Sequence, residues 1–225
     1  MQSNEQRYFD RLKQSVYEQI SKEINEKTIA QIVKVNLIEP YLSEQEASSR
    51  FQKYYFNILN NEEYFLNSSN FFKEFKKNYS LQGIDNFRLS EFEKQKKEIL
   101  EDIRNNKLSE LYFSTFFKVK IKHGNSYQEK DLSSFFAKLI HTFRPNDYCA
   151  LDNPIKDHFG LKKESFFISF FIISNTYKLW SENNKQIIQE IRKQFQKADK
   201  NETIKHNQLT NLKILDLIFW HKANS

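Results

Sequence analysis

The sequence predicts an all-α protein: one multi-helix globular domain whose charge divides it into two helical lobes, 1–112 and 113–225. Three observations point there. Only three glycines and three prolines occur in 225 residues, so the chain lacks the turn residues that a sandwich or barrel needs. Phenylalanine is abundant at 22 residues, with 11 tyrosines beside it, which suits long helices packed through aromatic layers. Apolar residues such as Tyr8, Leu12, Val16 and Ile20 recur at helical intervals. A chain of this length buries roughly 70% of its unfolded surface and needs no disulfide or metal staple.

Taken in order, residues 5–39 read as one or two helices closed by Pro40. Ser43-Glu44-Gln45-Glu46 has the form of a capping box that opens the next helix, with Phe51, Tyr54, Tyr55 and Leu59 on its apolar side. Asn60, Asn61 and the run Asn67–Asn70 mark loops around short helical pieces, and Tyr79–Asn86 with Gly83 is another loop. Ser90-Glu91-Phe92-Glu93 reads as a second capping box. From Leu108 to about His123 the i, i+3, i+4 spacing predicts a helix stopped by Gly124. The competing reading is a strand, because Phe117, Val119 and Ile121 alternate with Lys118, Lys120 and Lys122. Further helices are expected over Leu132–Phe143, from Asp152-Asn153-Pro154 to Gly160, and over Glu164–Trp180, Asn184–Lys197 and Gln208–His221. The last is apolar nearly all round between Leu212 and Trp220, which predicts a central position.

Charge is uneven. Residues 1–112 hold 17 Lys+Arg against 18 Asp+Glu, a net −1; residues 113–225 hold 18 against 11, a net +7. An anionic partner is therefore drawn to the second half. One cysteine, Cys149, excludes an internal disulfide or a four-cysteine zinc site and fits a reducing, cytoplasmic setting. The first residues lack the apolar stretch of a secretory signal. The most apolar run, Phe166–Ile173, is far below the ~20 residues that cross a bilayer, so no membrane partner is expected. There is no Gly-rich phosphate loop, no His-Glu-x-x-His, no Cys-x-x-Cys and no nucleophile elbow. No cofactor is expected.

Two of the three prolines and one of the three glycines fall within 145–160. Irregular backbone held by a rigid helical frame is where function tends to sit. Lys138 lies on the helix before this stretch, and Asp152 stands at the start of the helix after it. Over about 25 residues, from Leu132 to Phe159, this arrangement resembles the helix-hairpin-helix DNA glycosylases. The resemblance implies a DNA-binding hydrolase that flips a modified or damaged base. Asp152 would be its catalytic carboxylate and Lys138 its candidate amine. The sequence departs from that family's pattern: Asp131-Leu132-Ser133-Ser134 stands where a Leu-Pro-Gly-x-Gly hairpin would be, the Lys138-to-Asp152 interval is shorter, and Asn153-Pro154-Ile155 follows the Asp.

The chemistry assigns roles to further residues. Breaking a base–sugar bond builds positive charge on the sugar, which a fixed carboxylate stabilises. An amine attacks the sugar only when deprotonated, which burial favours. Lys118, Lys120, Lys122, Arg144, Lys156, Lys162 and Lys163 are candidates to hold phosphates. Phe143, Tyr148, Trp180 and Trp220 are candidates to stack a flipped base. Set against this, an Asp before Asn-Pro is a common helix cap, a lysine on an amphipathic helix is commonly solvated, and aromatics at helical spacing are commonly core. His141, Asp147, Cys149, Asp152 and His158 lie close in sequence but match no metal-binding spacing, so no metal is expected. Asp216 needs a partner if its helix is buried, with Lys213, Arg144 or Lys138 as the expected cation. The alternative function is a non-catalytic helical subunit that binds a protein partner.

Overall fold

A computed structural model describes residues 3–34, 45–123, 126–199 and 205–224. Within them the protein is mostly helical, with one two-stranded sheet. Helix α1 (Asn4–Glu23) is capped by Ser3, whose hydroxyl accepts the Gln6 amide at 3.1 Å. Val16 and Ile20, in phase with Tyr8 and Leu12, face inward as the spacing predicts. This helix lies along α11 (Phe166–Asn183), the long apolar helix of the second half. Helix α2 (Ile29–Val33) packs against α12 (Lys185–Ala198). Pro40, Ser43, Glu44 and Gly124, expected to bound helices, lie outside the described residues.

Helices α3 (Gln45–Ile58), α4 (Glu62–Asn67), α5 (Phe71–Asn78), α6 (Asn86–Lys94) and α7 (Lys96–Arg104) follow, and the first four of them bury Phe56, Phe65, Phe71, Phe72, Phe75 and Phe92. The expected capping box at Ser90 is not a helix start. Asp85 caps α6 by accepting the Arg88 amide at 2.8 Å, and Ser90 sits within the helix, donating to the Asn86 carbonyl. The carboxylate five residues upstream captures the free amide first, and Asp85 also accepts the Lys122 amide.

The helix expected over Leu108–His123 stops early. Helix α8 (Leu108–Leu111) widens into a π turn over Tyr112–Phe116; Phe117 is extended, and Lys118 adopts a left-handed φ of 48°. Strand β1 (Val119–His123) then pairs antiparallel with β2 (Ser126–Lys130), with Val119 opposite Lys130. The alternation that rivalled the helical reading prevails: Val119 and Ile121 are buried while Lys118, Lys120 and Lys122 face solvent.

Helix α9 (Ser133–Phe143) crosses the core, followed by α10 (Asn153–His158), α11, α12 and α13 (Asn211–Asn224). Helix α13 is buried from Leu212 to Phe219, save half-buried Leu217, as its composition predicts, and packs on α10 and α11. Rings dominate one part of the core. Phe65 meets Phe71 at 4.6 Å, Phe75 meets Phe135 at 5.1 Å, and Phe92 meets Phe116 at 5.1 Å, in edge-on or tilted geometries that ring quadrupoles favour. Among the described residues no helix is long and apolar enough to cross a membrane.

Candidate active site

Nine irregular residues, 144–152, connect α9 to α10. Asp152 ends the segment with extended backbone, and its Oδ1 accepts the Ile155 amide at 3.3 Å. That is the cap expected of Asp-Asn-Pro, with Pro154 in the first turn. The cap occupies only one carboxylate oxygen. The other, Oδ2, lies 3.8 Å from the Lys138 ammonium nitrogen of α9. The side chains retain 12% (Lys138) and 14% (Asp152) of their exposure, so the pair is nearly but not fully enclosed. Burial pushes the Lys138 amine below the ordinary lysine range, with Asp152 and Asp216 pulling the other way.

Three consecutive residues ahead of Asp152 are each tied by a buried side chain from a different helix. His141 of α9 bonds the Tyr148 carbonyl through Nδ1 at 2.7 Å. A carbonyl only accepts, so Nδ1 carries the proton and Nε2 accepts from the Tyr55 hydroxyl at 2.9 Å. That arrangement requires a neutral ring; burial first, and the nearby Lys213 charge second, hold the His141 pKa down to about 3. The Cys149 amide donates to Ser174 Oγ of α11 at 3.0 Å, and that hydroxyl donates on to the Cys149 sulfur. The Ala150 amide donates to Asp216 Oδ2 of α13 at 2.7 Å. An irregular segment is thereby fixed by side chains where no ladder or helix can do so.

Asp216 does not take the ammonium partner expected for it. One oxygen holds the Ala150 amide; the other, Oδ1, is buried without a hydrogen-bond partner. Burial raises its pKa to about 7, against the pull of Lys213 and the Ala150 amide. Lys213, one turn earlier and also buried, holds its amine over the Tyr55 ring at 4.6 Å and the Phe51 ring at 5.6 Å. Burial lowers its pKa to about 8. Leaving one buried acceptor unpaired costs about 1–3 kcal/mol, and two buried charges without a salt bridge cost more.

The remaining candidates divide. Lys118, Lys120 and Lys122 are exposed on and beside β1, and Lys162 and Lys163 are exposed after α10. Lys156 is not free to meet a phosphate: it is buried, and its amine donates to the Lys162 carbonyl at 3.0 Å, closing the end of α10. Arg144 is engaged by Asp147 and by Asn106 Oδ1 at 2.6 Å, with its guanidinium over the Tyr148 ring. Trp180 is wholly buried and donates to Ser21, so no base reaches its face in this structure. Phe143 packs edge-on to Phe65, and Tyr148 lies against Phe170 at 5.3 Å, both half-buried. Trp220 is 51% exposed at the end of α13. Of the clustered potential metal ligands, His141, Asp147, Cys149 and Asp152 are each held by different partners, and His158 pairs with Glu23.

A cleft of about 710 Å³ runs beside the segment, lined by Pro145, Asn146, Lys178, Arg192 and Asn211, without Lys138 or Asp152 in its wall. Compared with known protein families, curated proteins and solved structures, the chain matches none.

Proposed function

We propose that the protein is a DNA-processing enzyme of glycosylase type, with Lys138 as its amine and Asp152 as its carboxylate. The observation that supports this best is the 3.8 Å approach of Lys138 to the Asp152 oxygen that the helix cap leaves free. Lys138 in its free-base form attacks C1′ of a flipped nucleotide. Its lone pair forms the new C–N bond while the bond to the base breaks, and the base leaves with that electron pair and takes up a proton. The Asp152 carboxylate stabilises the positive charge that grows on the sugar. Loss of a proton from the attached nitrogen and opening of the sugar ring, with a proton taken up by the ring oxygen, leave a protonated imine. The exposed lysines at 118–122 and 162–163 supply phosphate contacts.

Borohydride reduction tests this directly. Duplexes carrying a panel of damaged or modified bases are incubated with wild-type protein and with Lys138→Met. A covalent adduct with wild type that is absent from the variant supports the reading; no base release and no adduct across the panel rejects it.

A second reading rests on the exposed rings. Phe87, Phe113 and Tyr127 are largely solvent-exposed, as are Leu179 and Trp220, which favours a helical subunit that docks on a protein. Salt separates the two. Phosphate binding weakens steeply between low and moderate salt, and a hydrophobic interface barely responds.

A further inference from the structure

We propose that Lys213 and Asp216 are positioning residues of the Lys138–Asp152 site: Asp216 anchors the backbone that carries Asp152, and the two together set the field at the Lys138 amine. The inference rests on the catalytic reading above and extends it to two residues on α13.

Anchoring follows from geometry. Asp216 holds the amide of Ala150, two residues before Asp152. A serine or asparagine would accept that amide without burying a charge, as Ser174 does for Cys149 next to it. Position 216 carries a carboxyl group instead, with its second oxygen unpartnered. One turn earlier, Lys213 is buried against two rings instead of being paired. Helix α13 thus brings a separated cation and anion to the place where α9 brings Lys138 and the α10 cap brings Asp152.

These four groups act on one another because their neighbours are neutral. His141 is an uncharged ring by its hydrogen bonds. Tyr55, Tyr79, Tyr177 and Cys149 are all held in their protonated forms by burial. On α11, Lys178 is drawn away to Asp147 at 3.0 Å. In a poorly screened interior, a charge several ångströms away still moves an amine's protonation strongly. The Asp216 carboxylate favours the ammonium form of Lys138, and the Lys213 cation opposes it. Removing either therefore has a defined sign, and the two signs are opposite.

Lysine-labelled protein, observed through side-chain carbon and nitrogen resonances, reads this without substrate. The Lys138 signal is assigned by its loss in Lys138→Met. Asp216→Asn, which keeps an acceptor for Ala150, is expected to move the Lys138 titration midpoint to lower pH. Lys213→Met is expected to move it to higher pH; Lys213→Gln serves if the methionine variant loses its cooperative melt. Midpoints that stay put, or that move in the same direction, overturn the inference. The borohydride experiment is independent. An adduct with unmoved midpoints keeps the catalytic reading and removes this extension of it. Opposite midpoint shifts without any adduct remove the catalytic reading and leave the field at Lys138 established.

Discussion

Around Phe72 the interior is built mainly from rings: buried Phe65, Phe71, Phe92 and Phe135 meet it edge-on or tilted, and the buried cation beside them, Lys96, lies over Phe65, Phe71 and Phe72 and is paired with Glu93. Around residues 148–152 the same molecule buries His141, Lys213, Asp216 and the nearly enclosed Lys138, and uses three of its helices to hold a stretch with no regular structure. Helix α9 serves both regions, with Phe135 and Phe136 in one and Lys138 and His141 in the other. The first region stabilises; apolar side chains of similar volume would stabilise the second at least as well as its charges do. The contrast teaches where to look for chemistry. Buried charge left without a salt bridge, as at Lys213 and Asp216, is where a functional site is sought.

The contrast is broken most sharply by Lys138→Met. Base release is expected to fall by about 10²-fold or more, since the attacking group is gone. The melting temperature is expected to fall as well, because the nearly enclosed Asp152 carboxylate loses its cation. Kinetics and melts on one preparation check both halves. Phe72→Ala tests the other region, with an expected loss of about 3–5 kcal/mol in denaturant unfolding and a protein that, where still folded, keeps the Lys138–Asp152 pair. A Phe72 variant that loses chemistry without losing stability would dissolve the distinction.

Asp216→Asn sharpens the comparison through pH. With a folded-state pKa of about 7 against an ordinary 3.8, the folded protein binds the extra proton. Stability from this group is therefore full below about pH 4 and declines as pH rises towards 7. His141 works in the opposite direction: its pKa of about 3 means that stability is lost as pH falls below 6.5. The two largely offset each other between pH 4 and 6.5. Asp216→Asn removes one side of the balance, so the variant should lose stability on acidification more steeply than wild type, by up to about 1.4 kcal/mol per pH unit. Parallel stability–pH curves would contradict this. The smallest effect is expected at the surface: Lys120→Ala or Lys162→Ala should leave stability within about 0.5 kcal/mol. Each would lower the salt slope of DNA binding by about one, which titrations at several salt concentrations would show.

The helical class was legible because few breakers and a 3.6-residue spacing agree over long stretches, as along α1 and α13. Helix starts were legible where the cap stands immediately before the helix, as at Asp152, and not where two caps compete, as at Asp85 and Ser90. The end of the 108–116 helix was ambiguous because Phe117–Lys122 satisfies both periods, and only the pairing with β2 decides between them. At the site, Lys138 and Asp152 stood out as flanks of the irregular stretch, and their approach agrees with those positions. The triple anchorage did not stand out. It joins residues 25 and 66 positions apart, and nothing local to Ser174 announces a backbone amide from another element. Asp216 was visible as a polar residue in an apolar helix, but its partner, an amide in place of a cation, was not.

Asp152→Asn puts the most direct question to the account. Asparagine caps a helix about as well as aspartate, so a residue that only caps tolerates the exchange in every respect. Single-turnover base release should fall by about 10²-fold or more while the protein keeps its helix cap and melts cooperatively, its stability lowered only by the loss of the Lys138 partner. Equal rates for the two proteins would contradict the assignment of Asp152 as the catalytic carboxylate.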